Sequence, residues 1–158
     1  MKISIILITI SLLLFSGCTK KEVENGIKPL VVAMELQFPP FETSDTNGDP
    51  IGISVEIAKE LAAYLERPLE IKNTSWIGLI PSLQTGKADI VISSMTITEE
   101  RAKVVNFSDP YARSGLTLLI NKNSIVSSFD DLDLKGATIV VKSGTVGAIL
   151  AQETLKKA

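Results

Sequence analysis

Pro81-Ser82-Leu83-Gln84-Thr85-Gly86-Lys87-Ala88-Asp89-Ile90-Val91-Ile92-Ser93-Ser94-Met95-Thr96-Ile97-Thr98-Glu99-Glu100-Arg101 decides the fold of this chain. The apolar run Ile90 to Ile92 reads as a buried strand. It opens into small hydroxyl residues. Thr98 then starts a helix that carries Arg101 in its first turn. Hydroxyls, a helix start and one guanidinium are thereby brought to the end of a strand. Such a place suits a small carboxylate.

Working outward, the same alternation repeats. Leu30 to Leu36 is a compact apolar run without helical spacing and reads as a buried strand. Phe38-Pro39-Pro40-Phe41 continues neither a strand nor a helix. Asp45-Thr46-Asn47-Gly48-Asp49-Pro50-Ile51-Gly52 is turn chemistry. Ser54 is expected to cap a helix reaching Tyr64, with Val55, Ala58, Leu61, Ala62 and Leu65 on one face. Pro68 to Asn73 is the second strand, and Trp76 to Leu83 a short helix closed by Gly86. Asp89 to Ser93 is the third strand, and Thr98 to Val104 the next helix. Strands alternating with helices imply parallel strands and right-handed crossovers. Ligands of such sheets sit beyond the carboxyl ends of the strands. Glu35 with Phe38, Trp76, Ser94 with Thr96, and Arg101 all fall at or just after such ends.

The composition removes several classes of function. The 158 residues include one cysteine and no histidine, and the formal net charge is −2. One cysteine forms no intrachain disulfide. Without histidine, a His-based triad is impossible and imidazole metal sites are excluded. Gly86-Lys87 lacks the remaining residues of a phosphate loop. No basic patch points to nucleic acid.

With Phe107-Ser108-Asp109-Pro110-Tyr111 just downstream, the opening stretch closely resembles the bacterial extracellular solute-binding proteins of family 3. These are the extracytoplasmic binding proteins of polar amino-acid importers. The resemblance covers essentially all of Leu30 to Gly147. It implies an α/β fold of the periplasmic-binding-protein type II, with two lobes and mostly parallel sheets, the second lobe incomplete here. It places a first lobe over residues 30–112 and part of a second over 113–158, with a hinge near Ala112 to Gly115. In the second lobe, Leu116 to Ile120 and Ala137 to Val141 are expected strands. Phe129 to Leu132 is an expected short helix, and another helix follows from Val146.

The family uses the arginine matching Arg101 for the ligand α-carboxylate. Ser94 and Thr96, on one side of an extended segment, match ligand contacts. Phe38 and Trp76 match aromatic positions lining the cleft, whereas Phe41 is expected in the core and Thr98 as a cap only. Glu35, at the end of the first strand, can meet a basic ligand side chain. Basic amino acids therefore lead, with glutamine-like ligands next. Ser143-Gly144-Thr145 matches a loop that clamps the carboxylate from the opposite lobe. The family's ammonium-holding aspartate would lie beyond Ala158, so weak binding is expected of this chain alone.

At the other end, Lys2 precedes an apolar run from Ile3 to Phe15, and Ser16-Gly17-Cys18 follows. A positive start, a short apolar core and small residues make a secretory signal over residues 1–17. The run falls short of the ~20 residues that span a membrane. Phe15-Ser16-Gly17-Cys18 resembles a bacterial lipobox, which would make Cys18 the lipidated first mature residue. Residues 18–29 then form a tether, polar and charged from Thr19 to Lys28. About 140 residues remain after the signal, enough for one ordinary domain.

The reading is thus a non-enzymatic, cofactor-free amino-acid-binding protein. It is anchored outside the cytoplasm, in the periplasm or at the cell surface, and serves a permease and a separate ATPase. Alternatives are a ligand-sensing domain of the same fold, a related dehydratase, or a non-functional fragment.

Overall fold

The computed structural model describes residues 26–156. The expected signal segment, Cys18 and most of the tether lie outside the described residues.

A three-stranded parallel sheet organises the first part of the chain. Its strands are β1 (Leu30–Met34), β5 (Leu69–Asn73) and β6 (Ile90–Val91), in the order β5-β1-β6. β1 is central and nearly continuous in apolar residues, as a strand covered on both faces must be. Val32 and Met34 face the helix α1 (Ile53–Tyr64), whose Val55, Ala58 and Ala62 meet them in the main core. Full burial of a side chain such as Met34 or Val32 is worth about 1.5–3 kcal/mol. Ala33, on the other face, packs with Leu79 of α2 (Leu79–Gln84), against Trp76 and Met95.

The register explains where the site lies. Met34 pairs with Asn73, and Ala33 with Val91. All three strands therefore finish at one edge. Glu35, Thr74 to Trp76, and Ile92 to Ser94 leave that edge side by side. Two cross-links fix them: Glu35 N–H donates to Ser93 Oγ at 2.9 Å, and Leu36 N–H donates to Asn73 Oδ1 at 3.3 Å.

Between β1 and α1 the chain makes a small antiparallel ribbon of β2 (Gln37–Phe38), β3 (Glu42–Ser44) and β4 (Pro50–Ile51). Here one expectation is corrected. The residue capping α1 is Gly52, at φ 119° and ψ 175°, and Ser54 lies inside the first turn. A Cβ on Gly52 would stand 2.3 Å from the Phe41 carbonyl oxygen, so only glycine fits. Ser54 instead turns its hydroxyl inward, 2.5 Å from Glu42 Oε2. Leu65, expected on the buried face, is exposed just past the end of α1.

The short helix α3 (Glu99–Ala102) begins as its sequence implies, with Thr98 Oγ1 accepting from Arg101 N–H at 3.3 Å. A 3₁₀ turn (Trp76–Gly78) precedes α2, another spans Phe129–Asp131, and α4 (Val146–Thr154) closes the described region. The expected strands at Leu116 to Ile120 and Ala137 to Val141 do not form among the described residues. Leu119 and Val140 are almost wholly exposed. Strand propensity alone does not build a ladder; these segments have no ladder partner among the described residues.

Glu42 is 1% exposed. Burial raises its carboxyl above the ordinary value of 4.5, against the opposing pull of the Ser54 and Ser94 hydroxyls. The folded chain therefore holds the Glu42 proton more tightly than the unfolded chain. This stabilisation is full below the unfolded-state value and is lost as pH rises through the folded value. Glu42→Gln should abolish that component. Denaturant titrations of both proteins at about pH 4 and about pH 7.5 should show the variant gaining on the wild type as pH rises. A stability difference that is flat with pH, or falls, would contradict the raised carboxyl.

Candidate functional site

Arg101 is the centre of the candidate site. It is 9% exposed, and its fork spans two segments of chain. Nη1–H donates to the Thr96 carbonyl at 2.6 Å, and Nη2–H donates to the Gly144 carbonyl at 2.9 Å. The guanidinium carbon lies 5.4 Å from the centre of the Trp76 ring. Burial lowers the Arg101 pKa. A guanidinium starts so high that it stays charged.

Trp76 is shared by the same contacts. Its indole Nε1–H also donates to the Gly144 carbonyl, at 2.9 Å. Gly144 sits at φ +73°, and a Cβ there would lie against the indole at 3.4 Å. The loop before α4 thus rests on Trp76 through its one residue without a side chain.

Glu35 meets Trp76 at its backbone. Its Oε1 accepts from Trp76 N–H at 3.0 Å, and its Oε2 accepts from Lys142 Nζ. Lys142 lies 5.9 Å from the centre of the same ring. The Glu35 side chain is 13% exposed and that of Lys142 49%, so the pair is partly open to solvent. Glu35 is therefore not a free carboxylate.

Ser94 takes up a different position. It has φ 51°, unusual for a residue with a side chain. Its N–H donates to Tyr111 Oη at 2.8 Å and its hydroxyl to Glu42 Oε2 at 3.0 Å. Thr96 contributes its carbonyl to Arg101 and keeps an exposed side chain. Phe38 is half exposed and stacks on Phe41, with ring centres 5.9 Å apart and planes 16° from parallel. Phe41 is only partly buried. The Thr145 hydroxyl is already used: it accepts from Ala148 N–H at 3.3 Å, capping α4, and donates to the Lys142 carbonyl at 2.7 Å. Ser143 lies exposed in the loop.

The structure thus gathers Arg101, Thr96, Trp76 and Glu35 with the 142–145 loop. It adds Lys142, Glu42 and Tyr111, which sequence reasoning passed over. Lys142 was legible as the cation next to Ser143. Glu42 sits beside Phe41 in a proline-bent segment where any carboxylate reads as surface. Among the described residues, no group of three or more His, Cys, Asp or Glu side chains could hold a metal ion. No described helix is long and apolar enough to cross a membrane.

An arginine, an indole face and paired charges at the carboxyl edge of a parallel sheet are equipment for a small zwitterion. The chain resembles several known proteins. The L-cystine-binding protein TcyJ of Escherichia coli (strain K12) is 36% identical over 129 residues, covering 82% of this chain and 48% of that protein. The arginine-binding extracellular protein ArtP of Bacillus subtilis (strain 168) is 35% identical over 131 residues, covering 82% of this chain and 50% of that protein. This chain therefore spans about half the length of the curated relatives it matches.

Among solved structures, the ancestral amino-acid-binding protein AncCDT-1, a precursor of cyclohexadienyl dehydratase, matches with TM-score 0.75 and 43% identity, over 80% of this chain and 57% of that one. The arginine-bound form of domain 1 from TmArgBP matches with TM-score 0.51 and 55% identity, over 52% of this chain and 65% of that one. Residues 30–154 match the model of one family, and by that match the chain belongs to the bacterial extracellular solute-binding proteins, family 3.

Proposed function

We propose that this chain binds a free polar amino acid between the sheet edge and the 142–145 loop. The observation that carries this is the Arg101 fork, with one arm on Thr96 and the other on Gly144. The Gly144 carbonyl is a neutral acceptor. A ligand carboxylate is a charged one, and its bonds to a guanidinium are roughly twice as strong. It can replace the carbonyl on Arg101 while Thr96 keeps the guanidinium aimed. The Trp76 face then covers the ligand's side-chain stem.

Delivery to a permease and its ATPase is the role such binding serves, since relatives of this family are amino-acid-binding proteins of ABC transporters. Domain 1 of TmArgBP, described as arginine-bound, supports a first lobe that holds ligand without its partner. That argues against the expectation of weak binding. We read residues 30–112 as that lobe, with the crossing at Ala112 to Gly115. An enzymatic role would need a free acid or base beside the ligand. Glu35 is paired with Lys142, and Glu42 is buried against two hydroxyls.

The Glu35–Lys142 pair also bears on the side chain. Glu35 alone favours a basic ligand, as the arginine-binding relatives would suggest. Paired with Lys142, it offers one acceptor and one donor together, which suits an amide such as that of glutamine. A basic ligand would have to displace Lys142.

Calorimetric titration of the full chain tests both points. Arg101→Ala should weaken binding of L-glutamine and L-arginine alike by about 10- to 100-fold, equivalent to roughly 1.5–3 kcal/mol. Lys142→Met should shift the preference toward L-arginine by about tenfold, or ~1.4 kcal/mol. Unchanged affinity in the first variant removes Arg101 from the site. An unchanged ratio in the second removes Lys142 from selectivity.

Anchoring outside the cytoplasm through Cys18 follows from the lipobox-like Phe15-Ser16-Gly17-Cys18. Acyl chains contribute ~0.8 kcal/mol per buried CH₂, so several on one residue hold firmly. Cys18→Ser should leave a precursor of larger size that no longer appears as a processed form in the detergent phase. A mature-size, detergent-partitioning product from that variant would rule out lipidation.

A further inference from the structure

Glu42 has no part in the reading above, yet it is a fully buried carboxylate with no salt bridge among the described residues, bonded instead to the hydroxyls of Ser54 and Ser94. Burying such a group costs several kcal/mol unless hydrogen bonds compensate. A ribbon residue needed only for packing would be cheaper as an apolar one. Its partners indicate what it does. Ser54 Oγ and Ser94 Oγ both donate to the same oxygen, Oε2, at 2.5 and 3.0 Å.

Proton counting fixes the rest of the cluster. A serine hydroxyl carries one proton and two lone pairs. Ser54 and Ser94 each commit their proton to Glu42. Ser54 Oγ and Tyr111 Oη lie 3.3 Å apart, and either atom could donate by geometry alone. With the Ser54 proton already used, Tyr111 is the donor. Tyr111 Oη then accepts the Ser94 N–H at 2.8 Å. The chain of bonds therefore closes on itself: Ser94 N–H to Tyr111, Tyr111 to Ser54, Ser54 to Glu42, and Ser94 Oγ to Glu42.

Two properties of Ser94 follow. Its φ of 51° is held from both ends, by Tyr111 on the amide and Glu42 on the hydroxyl. Such a conformation is uncommon in a non-glycine residue and persists where the surroundings impose it. Its free hydroxyl lone pairs can only accept, and its N–H is spoken for. Ser94 is thus unsuited to a carboxylate and suited to an ammonium.

We propose that Glu42 is a positioning residue for the amino-acid site, acting through the Ser94 hydroxyl, with Tyr111 holding the Ser94 amide. The pair makes Ser94 an obligate acceptor for the ligand α-ammonium, while Arg101 takes the carboxylate. This rests on the reading of the chain as an amino-acid binder. Tyr111 adjoins the crossing at Ala112 to Gly115, so the cluster also ties that segment to the sheet edge.

The test compares each amino acid with its analogue lacking the α-ammonium: L-glutamine with glutaramic acid, and L-arginine with 5-guanidinopentanoic acid. Calorimetry on the full chain should show Glu42→Gln and Tyr111→Phe each reducing the preference for the ammonium-bearing ligand by about tenfold. In a Ser94→Ala background, Glu42→Gln should change that preference by less than about twofold, because its route is gone. Serine already carries a Cβ at this φ, so alanine removes only the hydroxyl. An equal effect in both backgrounds, or no change in preference, overturns the proposal. Tyr111→Phe removes one oxygen from a half-exposed ring and serves if Glu42→Gln does not fold. Should no probe bind the wild type, the amino-acid reading fails. Hydrogen exchange at the Ser94 amide then still decides: lost protection in Tyr111→Phe supports the holding of Ser94, and unchanged protection overturns it.

Discussion

A buried guanidinium is the constraint on which the rest of the site depends. Arg101 cannot shed its charge, so its N–H groups must find acceptors in a place largely closed to water. The structure supplies them from two directions: Thr96 from the strand exit and Gly144 from the loop before α4. Trp76 lies beside the guanidinium and donates to the same Gly144 oxygen. One carbonyl thereby joins a cation, an indole and a loop more than forty residues further along the chain. It is held by hydrogen bonds to a neutral acceptor, which a carboxylate can better.

Around that point the polar work divides. Arg101 is the proposed partner for negative charge. Ser94, with its proton turned toward Glu42, is the proposed acceptor for positive charge. Glu35 and Lys142 form a paired acceptor and donor beside Trp76. An amino acid presents a carboxylate, an ammonium and a side chain, and the proposed reading gives each its own station. The stations are separate because three neighbouring parallel strands end at one edge, each delivering a different loop.

The sheet, α1 and the Thr98 cap were legible in the sequence because their causes are local. Ile90 to Ile92 is apolar without helical spacing. Val55, Ala58 and Ala62 recur at helical intervals. Thr98 stands three residues before the N–H it accepts. Ser54 misled because a serine near a helix start is usually a cap, and only the packing of Glu42 beneath it turns its hydroxyl inward. Leu116 to Ile120 and Ala137 to Val141 misled because a strand exists only through its neighbours. Lys142 and Glu42 escaped notice because charged residues are ordinarily solvated: Lys142 stood beside the Ser143 loop, but nothing local showed its partner 107 residues away, and nothing local marks a carboxylate that the fold buries.

Trp76 is the single tryptophan of the chain, so its indole N–H gives one isolated resonance in a nitrogen–proton spectrum. That proton reports directly on the Gly144 carbonyl shared with Arg101. Titration with L-arginine or L-glutamine should move it, as the ligand carboxylate replaces Gly144 on the guanidinium. Agmatine, which is arginine without its carboxylate, should leave it in place. A resonance that ignores the amino acids while they bind, or that moves equally with agmatine, would contradict the Arg101-centred site.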